Sequence, residues 1–475
     1  MMPNSLKYLV FLALAAAGHA IAPKKLRNPM LLAVSWAFYL LSMPKFLPLL
    51  IVVTFLTWKA GGLMERSPDR KRAMLIPALL ACFGLLFFYK YLAFAGELLS
   101  KLPGVGTIEI PALIQPLGIS FYIFAVTGYL IDVYRGAEGE KSFVDYALMV
   151  SFFPAVLSGP IPRRARLLPQ LKERETSWME VKRGVTRFLV GLAKKMLLAD
   201  TLSAIVALVY ADVDSFTGTQ VIFAAICYSL QIYCDFSSYS DMAVGAGLLF
   251  GIRLMENFDT PYFAQSIPEL WRRWHISLSS WFRDYLYFPL GGSRKGKLRT
   301  NLNLMIVFAV SGLWHGAGLQ YLIWGLLHGG YQVVGRLVKP LTKPLREKLD
   351  GSPLALPAKW ARIGWVFLLT GIAWVFFRAD DLGHALAILG QMTTLGGFGG
   401  AEAFGMVDAQ FWLLGGCLAA LFVWDLSYKK YDLVERLANG IWLRYALWTV
   451  LLLLVLCFGA YGTGYDASNF VYFQF

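Results

Sequence analysis

The chain has few charged residues for its length. Only 16% of its 475 positions are Asp, Glu, Lys or Arg, while 57% are hydrophobic and the mean hydropathy is +0.55. A soluble domain keeps about a quarter of its residues charged. Apolar runs of membrane-spanning length recur from one end to the other. These features exclude a soluble globular protein and predict an all-α polytopic membrane protein with about 11–12 transmembrane helices.

Acidic residues are particularly scarce, with 30 Asp and Glu against 44 Lys and Arg, which gives a net charge of +14. The basic residues gather in short segments between the apolar runs, as they do in cytoplasmic loops that face anionic lipid. The positive charge therefore indicates contact with membrane lipid, and nucleic-acid binding is not needed to explain it. Placing the basic clusters inside puts the N-terminus outside.

Cysteines and nucleophile motifs are also missing where an enzyme of another class would need them. The five cysteines lie in apolar surroundings with no C-x-x-C pair, so the sequence predicts neither a disulfide framework nor a metal site. No G-x-S-x-G elbow is present, and no cysteine has a neighbouring histidine in the sequence that would suggest a thioester route. We expect no bound metal or cofactor.

One apolar run cannot cross the membrane in the ordinary way. Phe143–Leu157 has basic residues on both sides and only 15 residues, about 22 Å of helix against about 30 Å of hydrocarbon. We predict a re-entrant or tilted segment ending in S-G-P-I-P-R, and irregular backbone at that depth must be buried in protein or line a cavity. Further along, Lys194 and Lys195 predict an interfacial helix.

The stretch after Ser266 predicts a helix that carries His275. Ser266 and Glu269 match an S-x-x-E capping box, so the helix should begin at Ile267. Aromatic and apolar residues then form one stripe at helical spacing: Trp271, Trp274, His275, Leu278, Trp281, Phe282 and Tyr285. Periodicity alone favours an interfacial anchor. The position of His275 on the buried stripe favours instead an imidazole with a polar partner or a polar cavity.

An apolar hairpin, Asn301–Gly335, carries His315 at its apex. Basic clusters flank both ends, so 35 residues must rise and return, and His315 lies 14 residues beyond Asn301, at about 21 Å of helical rise. That is short of the outer surface of a layer about 30 Å thick. An ionisable residue at this depth is a functional candidate, the alternative being a packing histidine bonded to neighbouring backbone. The glycines around it permit a turn or a close backbone approach: Gly312, Gly316 and Gly318. His328, nearer the inner side, fits a structural and a functional role equally.

Eight short motifs now identify a resemblance. They are S-G-P-I-P-R at 158–163, Q-I-Y-C-D-F-S-S-Y-S-D-M-A at 231–243, W-R-R-W-H-I-S-L-S at 271–279, R-D-Y-L-Y-F-P-L-G-G at 283–292, R-T-N-L-N-L at 299–304, G-L-W-H-G-A at 312–317, W-G-L-L-H-G at 324–329 and V-Y-F-Q-F at 471–475. In this order they resemble the membrane-bound O-acyltransferase family. The likeness is to its bacterial branch, which acts in alginate, peptidoglycan and cellulose acetylation and in D-alanyl transfer to teichoic acid.

The resemblance implies a fold and two catalytic residues. The family forms a ring of helices around a core with funnels from both faces, which implies one membrane domain over 1–475. Within it we expect N-terminal spans at 1–115, a catalytic core at 116–335 and C-terminal spans at 336–475. The histidine of G-L-W-H-G is catalytic in the family, which implies this role for His315, and the W-H-I-S histidine corresponds to His275. The location implied is a bacterial inner membrane.

The resemblance also implies a reaction. The protein would take an acyl group, above all acetyl, from a cytoplasmic donor such as acetyl-CoA or an acyl carrier. It would pass the group across the inner membrane for O-acetylation of an exported polysaccharide such as alginate, with a periplasmic acetyltransferase-type partner completing the transfer. Ser238 stands where the alginate-type pattern has glycine and Leu270 where it has phenylalanine. These departures weaken the assignment to alginate, and D-alanyl transfer stays open.

In this mechanism His315 is the general base that takes the proton of the attacking hydroxyl. His275 lies across the same chamber and polarises the acyl carbonyl or positions the donor. Asp235 or Asp241 orients an imidazole, or else pairs with arginine in the core. Further candidates for the donor site are two tryptophans next to the histidines and three arginines, although positive-inside topology explains the arginines as well: Trp274, Trp314, Arg163, Arg272 and Arg273.

Two other classes of function fit a polytopic membrane protein. A polysaccharide or lipid transporter could use midplane His and Asp residues as a proton or substrate path, but transporters usually show two related halves, and the sequence has no such internal symmetry. A non-catalytic membrane subunit could dock partner proteins. Loss of polymer acetylation in a folded His315→Ala variant would favour the enzyme over both.

Overall fold

The computed structural model describes residues 1–475 with the exception of 105, 109, 112, 432, 462–469 and 471–475. The described residues form helices, turns and loops, and no strand occurs among them, which confirms the all-α class. The V-Y-F-Q-F motif at the end of the chain lies outside the described residues.

Five helices precede the region that carries the motifs. They are α1 Leu6–Ile21, α2 Arg27–Ser42, α3 Leu47–Arg66, α4 Lys71–Lys90 and α5 Leu92–Ser100. Short 3₁₀ turns with basic residues join the first four: Lys24–Leu26, Pro44–Phe46 and Pro68–Arg70.

Ten helices form the central region. They are α6 Ile119–Tyr134, α7 Phe143–Ser151, α8 Arg164–Glu173, α9 Trp178–Ala193, α10 Asp200–Ala211, α11 Gly218–Leu249, α12 Ile267–Arg273, α13 Ile276–Phe282, α14 Gly296–His315 and α15 Leu319–Asp350. Two wider π-helical turns lie among them, Lys194–Ala199 between α9 and α10, and Arg283–Tyr287 after α13. The remaining helices are α16 Ala355–Arg378, α17 Leu382–Gln391, α18 Asp408–Tyr431, α19 Leu433–Asn439 and α20 Ile441–Phe458.

Several helices are long and apolar enough to cross a membrane. Within the described part of the chain there are six such segments, and three shorter apolar helices accompany them: Leu6–Ile21, Ile119–Tyr134 and Leu382–Gln391. The six are Pro44–Arg66, Pro68–Lys90, Gly218–Leu249, Ala355–Arg378, Asp408–Ser427 and Ile441–Phe458. The protein is therefore a multi-pass membrane protein, while the total of about 11–12 spans stays a prediction.

The long helix α11 lies at the centre of the fold. In its most apolar window 72% of the residues are buried inside the protein, against 6% for α18, whose side chains face outward. Glycines let α9 pack directly on the backbone of α11. A Cβ on Gly184 would lie 2.7 Å from the carbonyl oxygen of Gly245, and a Cβ on Gly245 would lie 2.6 Å from that of Gly184. Such close contact between small residues is how helices associate where lipid removes the hydrophobic driving force.

The segment predicted to be re-entrant is short and irregular. Helix α7 has only nine residues, and the backbone after it continues without regular structure to Arg163. Every residue from Tyr146 to Ile161 is buried. This satisfies the condition that non-helical backbone within a membrane protein be enclosed by protein.

The prediction that Lys194 and Lys195 lie at the membrane interface is wrong. Both belong to the π-helical turn between α9 and α10, and both are buried. Burial of a charged group is costly unless the charge is paired, and acidic residues of α11 and α10 provide the pairing described below.

Candidate active site

His275 and His315 lie side by side in the interior of the protein. Their ring centres are 6.4 Å apart, although 40 positions separate them in the sequence. His275 is fully buried and His315 is 5% exposed. The geometry agrees with a mechanism in which both imidazoles address one reacting group.

The α14–α15 hairpin places His315 at its apex, as predicted. Helix α14 ends at His315, and α15 begins four residues later at Leu319. The two helices touch at backbone level, because a Cβ on Gly312 would collide with the carbonyl oxygen of Tyr321, and one on Gly325 with that of Phe308. The predicted close approach at Gly312 is confirmed, and it fixes the end of α14 against α15.

The segment that carries His275 differs from the prediction. Its helix does begin at Ile267, with the hydroxyl of Ser266 accepting a hydrogen bond from the Glu269 N–H at 3.3 Å. The continuous stripe from Trp271 to Tyr285 is wrong, because α12 ends at Arg273 and a second helix, α13, begins at Ile276. His275 lies at the break with φ of +42°, in the left-handed region that a residue with a Cβ seldom adopts.

Contacts from distant loops hold this break in place. The first N–H groups of a helix lack acceptors within the helix. Asn257 provides them for α13: its backbone oxygen accepts from Ile276 N–H at 3.0 Å, and its Oδ1 accepts from Ser277 N–H at 3.2 Å. The hydroxyl of Ser277 in turn accepts from the N–H of Ile161, in the S-G-P-I-P-R motif, at 3.1 Å. His275 is thus positioned by two loops far from it in the sequence.

Aromatic rings enclose both imidazoles. The ring of Phe236 lies perpendicular to that of His275 at 4.6 Å, and Trp324 lies perpendicular to His315 at 5.0 Å. Trp314 contacts both histidines, with ring centres 6.0 Å from His275 and 4.9 Å from His315. Trp314 therefore lies beside both imidazoles, while its predicted role at the donor site stays a prediction.

Trp274 belongs to a neighbouring aromatic cluster. Its ring lies 5.0 Å from Phe258 and 5.1 Å from Trp374. Trp274 is 3% exposed, so it packs behind His275 as part of the core. Of the two tryptophans predicted for the donor site, the structure therefore places one beside the imidazoles and the other in packing.

Asp235 and Asp241 are ion-paired in the core. Asp235 accepts from Lys195 Nζ at 2.6 Å, while Asp241 accepts from Lys194 Nζ and from Arg187 Nε, both at 2.6 Å. The structure shows the pairing with cations that was one of the two roles open to these carboxylates, and two of the three partners are lysines and one is an arginine. These contacts connect α11 to α9 and to the turn after it.

The three predicted arginines differ in their surroundings. Arg163 contacts Asp284 at 3.4 Å, and its guanidinium lies 4.7 Å from the ring centre of Tyr285. Arg273 pairs with Glu269, one turn earlier, at 2.6 Å. Arg272 is exposed. Arg272 is therefore the most exposed of the three, and its role at the donor site stays a prediction.

A third histidine lies one aromatic ring away from His315. Trp324 contacts His315 at 5.0 Å on one side and His328 at 5.1 Å on the other. The indole N–H of Trp271 donates to Nδ1 of His328 at 3.3 Å, which makes that nitrogen an acceptor and leaves the ring proton on Nε2. His328 thus links α12 to α15, and this contact favours the structural alternative for it.

Sequence reasoning gave no role to three residues that position the site. Asn257 carries no signal in the sequence, because its acceptors matter only once the loops have folded. Lys90 and Tyr91 lie within an apolar run that was predicted only as a membrane span, yet both donate hydrogen bonds to the end of α14. Lys90 Nζ donates to the carbonyl oxygens of Trp314 and His315, at 2.7 and 2.8 Å. The hydroxyl of Tyr91 donates to the carbonyl oxygen of Leu313 at 2.8 Å. A lysine alone in an apolar span was the available signal for this contact.

Comparison with known proteins connects this site to a family. The sequence model of the MBOAT, or membrane-bound O-acyltransferase, family matches residues 131–376, a range that includes both histidines. The chain is 38% identical over 395 residues to the probable alginate O-acetylase AlgI of Pseudomonas putida, covering 82% of this chain and 79% of that protein. It is 35% identical over 427 residues to the peptidoglycan O-acetyltransferase of Helicobacter pylori, covering 82% and 78%. The teichoic acid D-alanyltransferase of Bacillus subtilis is more distant, at 28% over 233 residues, covering 46% and 58%.

Proposed function

The chain belongs to the membrane-bound O-acyltransferase family, and on that premise we propose that it moves an acetyl group from a cytoplasmic donor, across a bacterial inner membrane, to an exported polysaccharide such as alginate. It is a membrane O-acyltransferase of the type represented by alginate and peptidoglycan O-acetyltransferases. Family membership decides between the classes left open by the sequence, in favour of the enzyme over the transporter and the docking subunit.

The proposal depends above all on the distance between the two imidazoles. Two hydrogen bonds of about 2.9 Å that meet at one reacting group span up to about 6 Å between their outer atoms. Ring centres 6.4 Å apart therefore leave room for His275 and His315 to act on a single acyl-transfer centre.

In the proposed reaction the acceptor hydroxyl oxygen attacks the acyl carbonyl carbon. His315 takes the hydroxyl proton as the new C–O bond forms, a contribution typically worth about 10²–10⁴ in rate. His275 donates a hydrogen bond to the carbonyl oxygen, on which negative charge develops. When the bond to the leaving group breaks, the proton passes from His315 to that group, which is a thiolate if the donor is acetyl-CoA or the phosphopantetheine of a carrier. Asp235 and Asp241 hold α11 against α9 and the turn after it through their ion pairs.

The charge distribution and the relatives support a proposal for the donor and the acyl group. We propose that an anionic donor approaches from the basic inner side, where Arg272 is exposed. Acetyl is preferred to D-alanyl because the relatives named as O-acetylases or O-acetyltransferases match more of the chain at higher identity. A periplasmic acetyltransferase-type partner would then complete the transfer to the polymer.

The test is a His315→Ala variant produced in a strain from which the native protein has been deleted. Amount and insertion are verified by fluorescence-detected size-exclusion chromatography, and the acyl content of the exported polysaccharide is measured by mass spectrometry. His384→Ala is the matched control, since His384 lies on α17 and contacts Asp380. We expect acetylation to be lost in the first variant and kept in the second. Normal acetylation by folded His315→Ala would refute the proposal, and D-alanyl in place of acetyl on the polymer would redirect it.

A further inference from the structure

The C-terminal end of α14 is unusual in how its carbonyl groups are satisfied. An α-helix leaves its last four C=O groups without partners inside the helix. In α14 these belong to Gly312, Leu313, Trp314 and His315. The first accepts from the N–H of Gly316, and the other three accept from side chains outside the hairpin.

Two consecutive residues at the end of α4 donate those three hydrogen bonds. The hydroxyl of Tyr91 donates to Leu313 O at 2.8 Å. The ammonium group of Lys90 donates to Trp314 O at 2.7 Å and to His315 O at 2.8 Å. The pair, called here the α4 clamp, therefore binds the backbone of the residue whose imidazole faces His275, across more than 220 positions of sequence.

Burial of Lys90 is explained by this contact. The residue is only 8% exposed, on a helix that is otherwise apolar in its second half. A buried ammonium group is costly unless it is hydrogen-bonded or paired. Within the described part of the chain no carboxylate lies within 4 Å of the Lys90 ammonium, which donates instead to the two carbonyl oxygens. The negative end of the α14 macrodipole provides the compensation, an interaction that is stronger in partly buried geometry than at a surface. The Lys90 ammonium also lies 5.9 Å from the ring centre of Trp314.

We infer that Lys90, assisted by Tyr91, is a positioning residue for acyl transfer, which holds the last turn of α14 so that the His315 imidazole stays aligned with His275. The inference rests on the proposed function of His315. Beyond His315 the chain continues as Gly316-Ala317-Gly318, and glycine restrains the backbone little. The α4 clamp therefore adds a restraint from outside the hairpin to the backbone contact that Gly312 makes with Tyr321 inside it.

The expected effect is on turnover and not on donor binding. A displacement of about 1 Å in a reacting group can lower the rate by about 10²-fold. Lys90 holds the backbone that carries His315, so its loss should displace the imidazole. Lys90→Met should therefore lower kcat by roughly 10²-fold with little change in the donor KM. Lys90→Arg keeps a cationic donor at the same carbonyls and should retain more of the activity.

A chemical rescue separates positioning from general stability. Lys90→Ala removes the atoms of n-propylamine, so added n-propylamine should restore part of kcat in membrane vesicles, whereas n-propanol, of similar size and without charge, should restore much less. Tyr91→Phe should lower kcat severalfold. Tyr39→Phe is its matched control, because Tyr39 also donates to a backbone carbonyl, that of Leu117, at 2.9 Å, away from α14. All rates are expressed per folded protein.

The outcomes distinguish this inference from the proposed function. If His315→Ala abolishes transfer while folded Lys90→Met keeps the native kcat, the positioning role is refuted and the function stands. Equal effects of n-propylamine and n-propanol would also refute it, since the charge would then be irrelevant. If His315→Ala retains activity, the proposed function fails first, whatever the Lys90 variants do.

Discussion

The sharpest prediction concerns the energetic coupling of His275 and His315. Residues within about 7–10 Å can couple, and these ring centres are 6.4 Å apart. If one imidazole removes the proton while the other stabilises the developing oxyanion, both act on the same barrier. Loss of either should then remove most of what the pair provides.

The substitutions must respect the backbone at each position. His275 has φ of +42°, and Asn tolerates this left-handed conformation better than most residues with a Cβ, so His275→Asn is the variant of choice. His315 ends a regular helix, and His315→Ala is acceptable there. The double variant completes the cycle.

The expected magnitudes follow from the role of each group. A general base such as His315 contributes about 10²–10⁴ in rate, or about 2.7 to 5.4 kcal/mol of barrier. A donor to the oxyanion such as His275 contributes about 10²–10³. Independent groups would multiply, so the double variant would lose about 10⁴–10⁷-fold. If the two groups act as a unit, the double variant should lose little more rate than the slower of the two single variants.

The assay is the initial rate of acyl transfer in membrane vesicles that contain equal amounts of folded protein, with the rate in vesicles lacking the protein subtracted. Thermal unfolding of the same four proteins gives the coupling in stability, because neighbouring rings can couple through packing alone. We expect the coupling in rate to exceed the coupling in stability by at least about 2 kcal/mol. Multiplicative losses, or equal coupling in rate and stability, would refute a shared reaction centre.

Three further predictions test the frame around the site. Gly325→Ala should force the α14–α15 hairpin apart, lower the free energy of unfolding by about 1–3 kcal/mol and reduce turnover. Gly330→Ala is the control on the same helix: a Cβ there meets nothing within 4 Å, so thermal unfolding and rate should not change. Asp241→Asn should lower the free energy of unfolding by about 3–5 kcal/mol, because the buried Lys194 and the largely buried side chain of Arg187 lose their carboxylate. Glu256→Gln, at a 49% exposed partner of Arg187, should cost no more than about 1 kcal/mol, and similar melting temperatures for the two variants would contradict this. Arg272→Gln should raise the donor KM roughly fivefold at low salt with kcat unchanged, and a KM that stays native across salt concentrations would show that Arg272 does not meet the donor.

Parts of the site followed from counting residues. The position of His315 at the apex of the hairpin follows from the flanking basic clusters and the glycines, and Gly312 indicates a close backbone contact whichever helix makes it, while the depth of His315 in the membrane stays a prediction. The start of α12 at Ile267 could also be predicted from neighbouring residues, since a capping box depends on two residues three positions apart. These features require no knowledge of the rest of the fold.

The break at His275 could not be found in the same way. An apolar stripe of period 3.6 shows which face of a helix is buried, and it continues through a break when both pieces bury the same face. What ends α12 and restarts α13 is Asn257, whose two acceptors replace the missing helical ones. That contact depends on the path of the loop, and nothing in the spacing of the stripe reports it.

The buried ion pairs show why hydropathy misplaced Lys194 and Lys195. Hydropathy treats each charge as evidence for exposure, yet a carboxylate at contact distance reverses that preference. Asp235 and Asp241 are six residues apart on α11, about 120° around the helix and about 9 Å along it. Lys194 and Lys195 are consecutive in a π-helical turn, so their side chains also leave the backbone in different directions. One neighbouring turn can therefore reach both carboxylates, as the 2.6 Å contacts of Lys194 with Asp241 and of Lys195 with Asp235 require. Arg187 also pairs with Asp241, and Asp200 with Lys195, so carboxylates of α10 and α11 lie at contact distance from both buried lysines. The sequence contained both spacings, and only the packing of α9 and α10 against α11 decided that they meet.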